Sequence, residues 1–246
     1  MTGVSLRSIP AGYAHVKWTP WEQIIKGVIM KVCIIGNGKL SNSIFIGLQG
    51  EYNTIKWELF DKKINEKIIA IHAGSGRQFE ECLDYCNKTG SILLELSTGE
   101  NISKYKIECP IIICPNTAIP ILKMMNILKN NGKTFCDYRV RIIESHQKDK
   151  NTVAGTAFEI AKALNVDTKR IESIRNIKDQ LEIGIPEDYL NLHAYHKIII
   201  EDKGSEIIIQ LKVLGHDAYV QGVGKLIDLI HNKNLGNKIY NIIDII

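Results

Sequence analysis

At 246 residues, the chain is long enough to bury a full core as one large domain or two modest ones. Apolar residues make up 45% and charged residues 24%, with a formal net charge of +4, the balance of an ordinary globular protein. Lysines are scattered and aromatics few, which argues against a nucleic-acid surface, and no apolar run approaches the roughly 20 residues of a membrane span.

Residues 1–29 lack the basic start, apolar centre and small-residue cleavage site of a secretion signal. Met30 directly precedes the strand-like run Lys31 to Ile35, so the first domain is expected to begin there. Residues 1–29 then form an extension without an assigned role, able to pack on a surface through Trp18, Pro20 and Trp21. The cysteines (Cys33, Cys82, Cys86, Cys109, Cys114 and Cys136) contain no C-x-x-C pair, and several sit inside apolar runs. That usage predicts a reducing cytoplasm, no structural disulfides and no metal clip, with Cys82 and Cys86 serving core packing.

From Lys31 to about Gly132, short apolar runs alternate with helical patterns. Strands are expected at Lys31–Ile35, Ile55–Phe60, Ile68–Ile71, Ile92–Leu96 and Ile111–Cys114, with an amphipathic helix over Phe79–Asn87 stopping near Gly90. Such alternation predicts an α/β domain, a Rossmann-type doubly wound parallel sheet over residues 30–132. A second pattern follows. The runs His196–Ile200 and Glu206–Leu214 flank a Gly-containing turn, a hairpin signal, and Tyr138–Glu144 can join them. Residues 133–246 are therefore expected to form an α+β domain with a mixed, largely antiparallel sheet that binds substrate and mediates oligomerisation. The helix over 219–233, apolar at Val223, Leu226, Ile227 and Ile230, has the spacing of a packing helix and can fold back on the first domain.

Five loops at the ends of the expected parallel strands point to a dinucleotide. Gly36-Asn37-Gly38-Lys39-Leu40-Ser41 follows the first strand and opens a helix, where glycines let backbone N–H groups approach a pyrophosphate. Gly36, Gly38, Lys39 and Leu40 are thus candidate cofactor contacts. Asp61, 25 residues after Gly36, is placed to hold ribose hydroxyls, whereas the adjacent Lys62 and Lys63 suit a 2′-phosphate, which leaves NADH and NADPH both open. His72-Ala73-Gly74, Ser97-Thr98-Gly99 and Pro115-Asn116 face the same crevice and complete the cofactor set.

The stretch Ile142 to Ala157 carries the chemistry. An apolar strand delivers His146, Lys148 and Lys150 into a polar loop, and Gly155-Thr156 then opens a helix whose free N–H groups attract anions. A proton donor, fixed positive charge and an anion cradle meet in one loop, which suits a small carboxylated substrate. His193-x-x-His196 falls on an expected strand, which puts the two rings on opposite faces and argues against a metal site.

The pattern Glu144-x-His146-x-x-x-Lys150, followed by Gly155-Thr156-Ala157, resembles the signature loop of the 4-hydroxy-tetrahydrodipicolinate reductases, roughly E-x-H-H-x-x-K-x-D-x-P-S-G-T-A. Leu96-Ser97-Thr98-Gly99 stands where that family has G-T-T-G, and Cys114-Pro115-Asn116-Thr117-Ala118 where it has A-P-N-F-S. The resemblance runs from about residue 31 to the C-terminus. It implies a Rossmann domain, a second mixed sheet, NADH or NADPH as hydride donor and a homotetramer built through the second sheet. It also implies His146 as proton donor, Lys150 as its supporting cation and substrate contact, and Gly155 and Thr156 as the carboxylate grip.

Several positions depart from the family pattern. Gln147 replaces the second histidine, the signature loop is one residue shorter, His72-Ala73-Gly74 stands for D-F-T, and His216 falls where an arginine is expected. A pocket lined by Gln147 and His216 should hold a dianion less tightly, because a bidentate guanidinium is not replaced by imidazole without cost. The expected activity is reduction of a cyclic imine-type dicarboxylate in lysine/diaminopimelate biosynthesis. The alternatives are a related reductase of another small imine or keto acid, or a non-catalytic nucleotide-binding homologue.

Overall fold

The computed structural model describes residues 30–97, 101–147 and 155–246. Residues 1–29, Thr98, Gly99 and Lys150 therefore lie outside the described residues.

The first strand, β1 (Lys31–Ile35), alternates its side chains between two apolar layers: Val32 and Ile34 face one, Cys33 and Ile35 the other, all fully buried. Burying one such isoleucine contributes about 2 kcal/mol, so β1 anchors both layers at once. Around it lie α1 (Lys39–Gly47), β2 (Thr54–Lys56), β3 (Ile68–His72), α2 (Phe79–Thr89), β4 (Ile92–Glu95), β5 (Ile111–Ile113) and α3 (Ile119–Asn131). The second unit comprises β6 (Arg139–His146), α4 (Gly155–Ala163), β7 (Glu172–Ile174), α5 (Ile177–Glu182), β8 (His193–Asp202) and β9 (Ser205–Leu214). The chain closes with α6 (Asp217–His231) and β10 (Ile239–Asn241).

Sheet order is β10-β5-β4-β3-β1-β2, with every pairing parallel, and separately β7-β6-β8-β9, with β6, β8 and β9 antiparallel and β7 parallel to β6. The expected α/β architecture, a Rossmann-type sheet followed by a mixed sheet, is the one observed. The chain leaves β1 for β2 on one side and then returns to β3 on the other, so the topological switch point lies between β1 and β3, the place where such sheets receive ligands.

Two expectations need correction. The strand expected at Ile55–Phe60 stops at Lys56, and Trp57–Leu59 winds into a 3-10 turn. A continued strand would send Trp57 and Leu59 to the same side. Instead Trp57 is fully buried, packed edge-on against Tyr85 at 5.9 Å, and Leu59 is exposed. The second correction concerns β6, expected to end at Glu144 ahead of a loop that carries His146; the strand instead runs on through His146. At the C-terminus the helix expected over residues 219–233 does fold back, and a strand follows it. From Asp217 onward the chain returns to the first unit: α6 packs on α1, and β10 pairs with β5 as a sixth strand. Residues 217–246 thus pack with the first unit. Close approach explains the return, because a Cβ at Gly222 of α6 would lie 1.7 Å from the Thr117 carbonyl oxygen.

Candidate active site

Strand period places Glu144 and His146 on one face of β6, with Ser145 on the other. Antiparallel pairing sets Glu144 opposite His196 and His146 opposite Ala194. The His146 and His196 rings meet edge to face at 5.5 Å. Glu144 has no solvent exposure, yet both of its oxygens are engaged: Oε2 with His146 Nδ1 at 2.6 Å, Oε1 with Arg175 at 2.6 Å and with the Ser173 hydroxyl at 2.5 Å. Burial alone would raise its pKa. The hydrogen bonds from His146, Arg175 and Ser173 outweigh that and hold the carboxyl at about 2. Glu144 is therefore an anion that receives Nδ1–H, which fixes the ring's tautomer and orientation.

His146 forms one wall of a cavity of about 340 Å³ between the two units. Leu40, Asn116, Thr156, His196 and His216 also line it, as do Pro115, Gln147 and Gly155. Asn116 Nδ2 reaches Thr156 Oγ1 at 3.4 Å, so the β5–α3 loop and the start of α4 touch across the cavity. Gly155 and Thr156 are the first residues of the nine-residue α4, whose first-turn N–H groups have no carbonyl of their own helix to bond and suit a small anion. On the opposite face of β6, Ser145 pairs with His193 Nε2 at 2.9 Å, while His193 Nδ1–H donates to the Tyr189 carbonyl at 2.9 Å. Burial, chiefly, lowers the His193 pKa and keeps the ring neutral. Gln180 braces the same corner by donating to the His146 carbonyl at 2.8 Å.

The glycine turn lies beside the switch point. Gly36 has φ +111°, and a Cβ there would sit 2.8 Å from the Ala73 carbonyl oxygen, so only glycine closes this turn against the β3 loop. Around Gly38, the N-cap of α1, a Cβ would meet nothing within 4 Å, leaving backbone room for a phosphate at the helix start. Ser41 fills the third glycine place by donating its hydroxyl to the Gly36 carbonyl at 2.5 Å.

Other expected contacts fall elsewhere. Asp61 lies past the 3-10 turn and accepts from the Lys63 amide, so it is not at the strand end. The carboxylate that reaches the glycine turn is Glu58, 3.3 Å from Asn37 Nδ2, hidden from sequence reasoning because the strand was drawn too long. Lys62 turns to the α2 side, 3.3 Å from Glu81 and over the Trp57 ring. The His72 ring is fully buried and spent on Glu95 and the Arg77 carbonyl, so it does not line the crevice. His216 lines the cavity but gives Nδ1 to the Ser43 hydroxyl at 2.8 Å; burial and then Lys39 lower its pKa. Arg175 and Ser173 had no sequence signal, being 31 and 29 residues from Glu144 and brought to it only by β7 pairing. Among the described residues no group of His, Cys, Asp and Glu is arranged to hold a metal, and no helix is long and apolar enough to cross a membrane.

Residues 121–246 match the family model for the C-terminal part of dihydrodipicolinate reductase. A probable 4-hydroxy-tetrahydrodipicolinate reductase 2 of Oryza sativa subsp. japonica is 29% identical over 123 residues, which cover 46% of this chain and 38% of that protein. The 4-hydroxy-tetrahydrodipicolinate reductase of Chlamydia abortus is 25% identical over 147 residues, 54% of this chain and 57% of its own length. The chain thus spans 38% and 57% of the length of these two relatives. The dipicolinate-bound dihydrodipicolinate reductase of Paenisporosarcina sp. TG-14 superposes with a TM-score of 0.65 at 16% identity, covering 89% of this chain and all of that one, a likeness of fold. With half the chain inside the family model and the same two-sheet architecture, the chain belongs to the dihydrodipicolinate reductase family as a divergent member.

Proposed function

We propose that the chain is an NAD(P)H-dependent reductase that delivers hydride to a cyclic imine-type dicarboxylate, in the lysine/diaminopimelate route named by its family. The carrying observation is His146, held by a buried, ionised Glu144 on the wall of a cavity between a dinucleotide-type glycine turn and a helix start. Gly36, the open backbone at Gly38 and the N-terminus of α1 fit a pyrophosphate, and Glu58 fits the adenosine ribose. The nicotinamide supplies the hydride when bound. The N–H groups of Gly155 and Thr156 grip a carboxylate, which orients the substrate across the cavity from His146. Reduction of a C=N or conjugated bond leaves negative charge that a positioned acid must quench. His146 Nε2 gives that proton, and Glu144 stabilises the imidazolium beforehand. Lys150 supports the transfer in this reading.

The test is consumption of NADH or NADPH with dihydrodipicolinate generated in situ. Wild type should oxidise the nucleotide, and His146→Gln should not. Nucleotide binding without reduction of any cyclic imine acid would sink this reading. One observation favours the second reading, a relative acting on another small imine or keto acid: His216, at the expected arginine position, is bonded to Ser43 and held towards neutrality. A cytoplasmic homotetramer joined through the second sheet belongs to the same proposal. The exposed edge strand β9, with Ile207 and Ile208 each about half exposed, supports it.

A further inference from the structure

We propose that His72 is a positioning residue for the cofactor crevice: doubly donating and buried, it clamps the β3–α2 loop to the β4 loop, and loss of its ring proton releases the clamp. The inference rests on the cofactor part of the function proposed above, but its core is a hydrogen-bond pattern that stands without it.

His72 ends β3 beside the switch point and has no solvent exposure. Nδ1 lies 2.7 Å from Glu95 Oε2, and Nε2 lies 2.8 Å from the Arg77 carbonyl oxygen. A carbonyl oxygen only accepts, so Nε2 must carry hydrogen. The Nδ1–Oε2 bond then needs a second proton between ring and carboxyl, which makes the pair an imidazolium facing a carboxylate. The other Glu95 oxygen accepts from the Ser97 amide at 2.7 Å and from the Ser97 hydroxyl. One ring thus joins the loop after β3 to the loop after β4.

The β3–α2 loop needs such a tie. Ser75 (φ 53°) and Gln78 (φ 62°) adopt left-handed backbone that costs non-glycine residues free energy, and Gly76 is left-handed as well. Gly74 passes so close that a Cβ there would meet the Arg77 carbonyl oxygen at 2.7 Å and His72 Nε2 at 2.9 Å. Ala73, at the start of the loop, is the residue against which the Gly36 turn closes. A shift of the 73–78 loop therefore moves the wall of the pyrophosphate cradle.

Removing one proton leaves His72 neutral beside an anionic Glu95. The remaining N–H follows the stronger acceptor, the carboxylate, and a bare Nε2 lone pair then faces the Arg77 carbonyl at hydrogen-bond distance. That contact turns repulsive, and the strained loop loses its tie. Among the described residues, Glu95 of β4 is the charged group bonded to the ring, and Arg77, whose carbonyl meets Nε2, turns its Nε to the Gly74 carbonyl at 3.2 Å. Phe79 of α2 covers the ring at 5.4 Å, with Tyr105 a further ring behind it.

Glu95→Gln separates this device from a merely structural ion pair. Its amide N–H₂ can donate to Nδ1 of a neutral ring, its oxygen can still accept from Ser97, and Nε2–H keeps the Arg77 carbonyl. The clamp would then hold with no titratable proton. NADH affinity is measured by fluorescence titration, and amide hydrogen exchange at residues 73–78 is measured on cofactor-free protein, both between about pH 6 and pH 10. In wild type the dissociation constant should rise by about tenfold with pH, and the 73–78 amides should exchange faster than the pH dependence of intrinsic exchange predicts. Glu95→Gln should show under about twofold change in either. A flat wild-type profile, or a variant that tracks wild type, overturns the clamp. If no nicotinamide nucleotide binds at all, the proposed function fails, whereas exchange at 73–78 still decides the clamp.

Discussion

Glu144 Oε2 accepts from His146 Nδ1 at 2.6 Å inside the protein, and that one bond fixes the orientation of an imidazole that lines the cavity. Glu144→Gln keeps the shape and removes the charge. It is expected to lower kcat by about 10²–10⁴-fold with a smaller change in KM, read from steady-state kinetics. An unchanged kcat would separate the carboxylate from the chemistry.

The same carboxyl sets an acid limit to stability. Its pKa in the folded protein is about 2, against 4.5 for an unperturbed carboxyl. A group whose folded value is depressed stabilises the fold above its unfolded value and loses that contribution as pH falls through the folded one. Stability on the order of 3 kcal/mol should thus disappear between about pH 4.5 and pH 2. Urea denaturation across that window should show the slope in wild type and lose this part of it in Glu144→Gln.

Arg175 neutralises Glu144 from the far side, 2.6 Å from Oε1. Arg175→Met should cost about 3 kcal/mol in urea denaturation, since it strands a buried carboxylate with one charged donor fewer. Removing this cation also lets Glu144 attract the His146 proton more strongly, so the alkaline limb of kcat/KM should move to higher pH. Arg175→Lys should restore part of both.

Gly222 lets α6 lie directly on the Thr117 carbonyl. Gly222→Ala should therefore destabilise by about 3 kcal/mol, a fall in Tm of about 10 °C by calorimetry. The displaced Asn116–Thr117 loop should also weaken substrate binding, because Asn116 lines the cavity.

Glu58→Ala should weaken NADH binding by about tenfold with less effect on NADPH, whose 2′-phosphate repels a carboxylate. Asp61→Ala should change neither affinity. Fluorescence titration with both nucleotides decides between the two acids.

Local sequence reasoning reached the elements whose signals are themselves local. Alternating strand and helix patterns located the sheet of the first unit, and the Gly204 turn located the β8–β9 hairpin. Long-range packing overrides the local pattern at other positions. Trp57 reads as a strand residue until its ring finds Tyr85, and shortening β2 transfers the candidate ribose carboxylate from Asp61 to Glu58. His72 reads as a crevice residue because it ends a parallel strand, but its side chain turns inward to Glu95 on the neighbouring strand.

The order of residues alone determined a two-sheet α/β protein, its glycine turn, and a histidine shortly ahead of a helix start. Those features depend on side-chain period and backbone freedom over a few residues. Tertiary structure alone decided which carboxylate orients His146, that Arg175 and Ser173 stand behind it, and that β10 joins the first sheet beside β5. Such contacts join residues tens of positions apart, and only burial, which makes every unpaired charge costly, selects them.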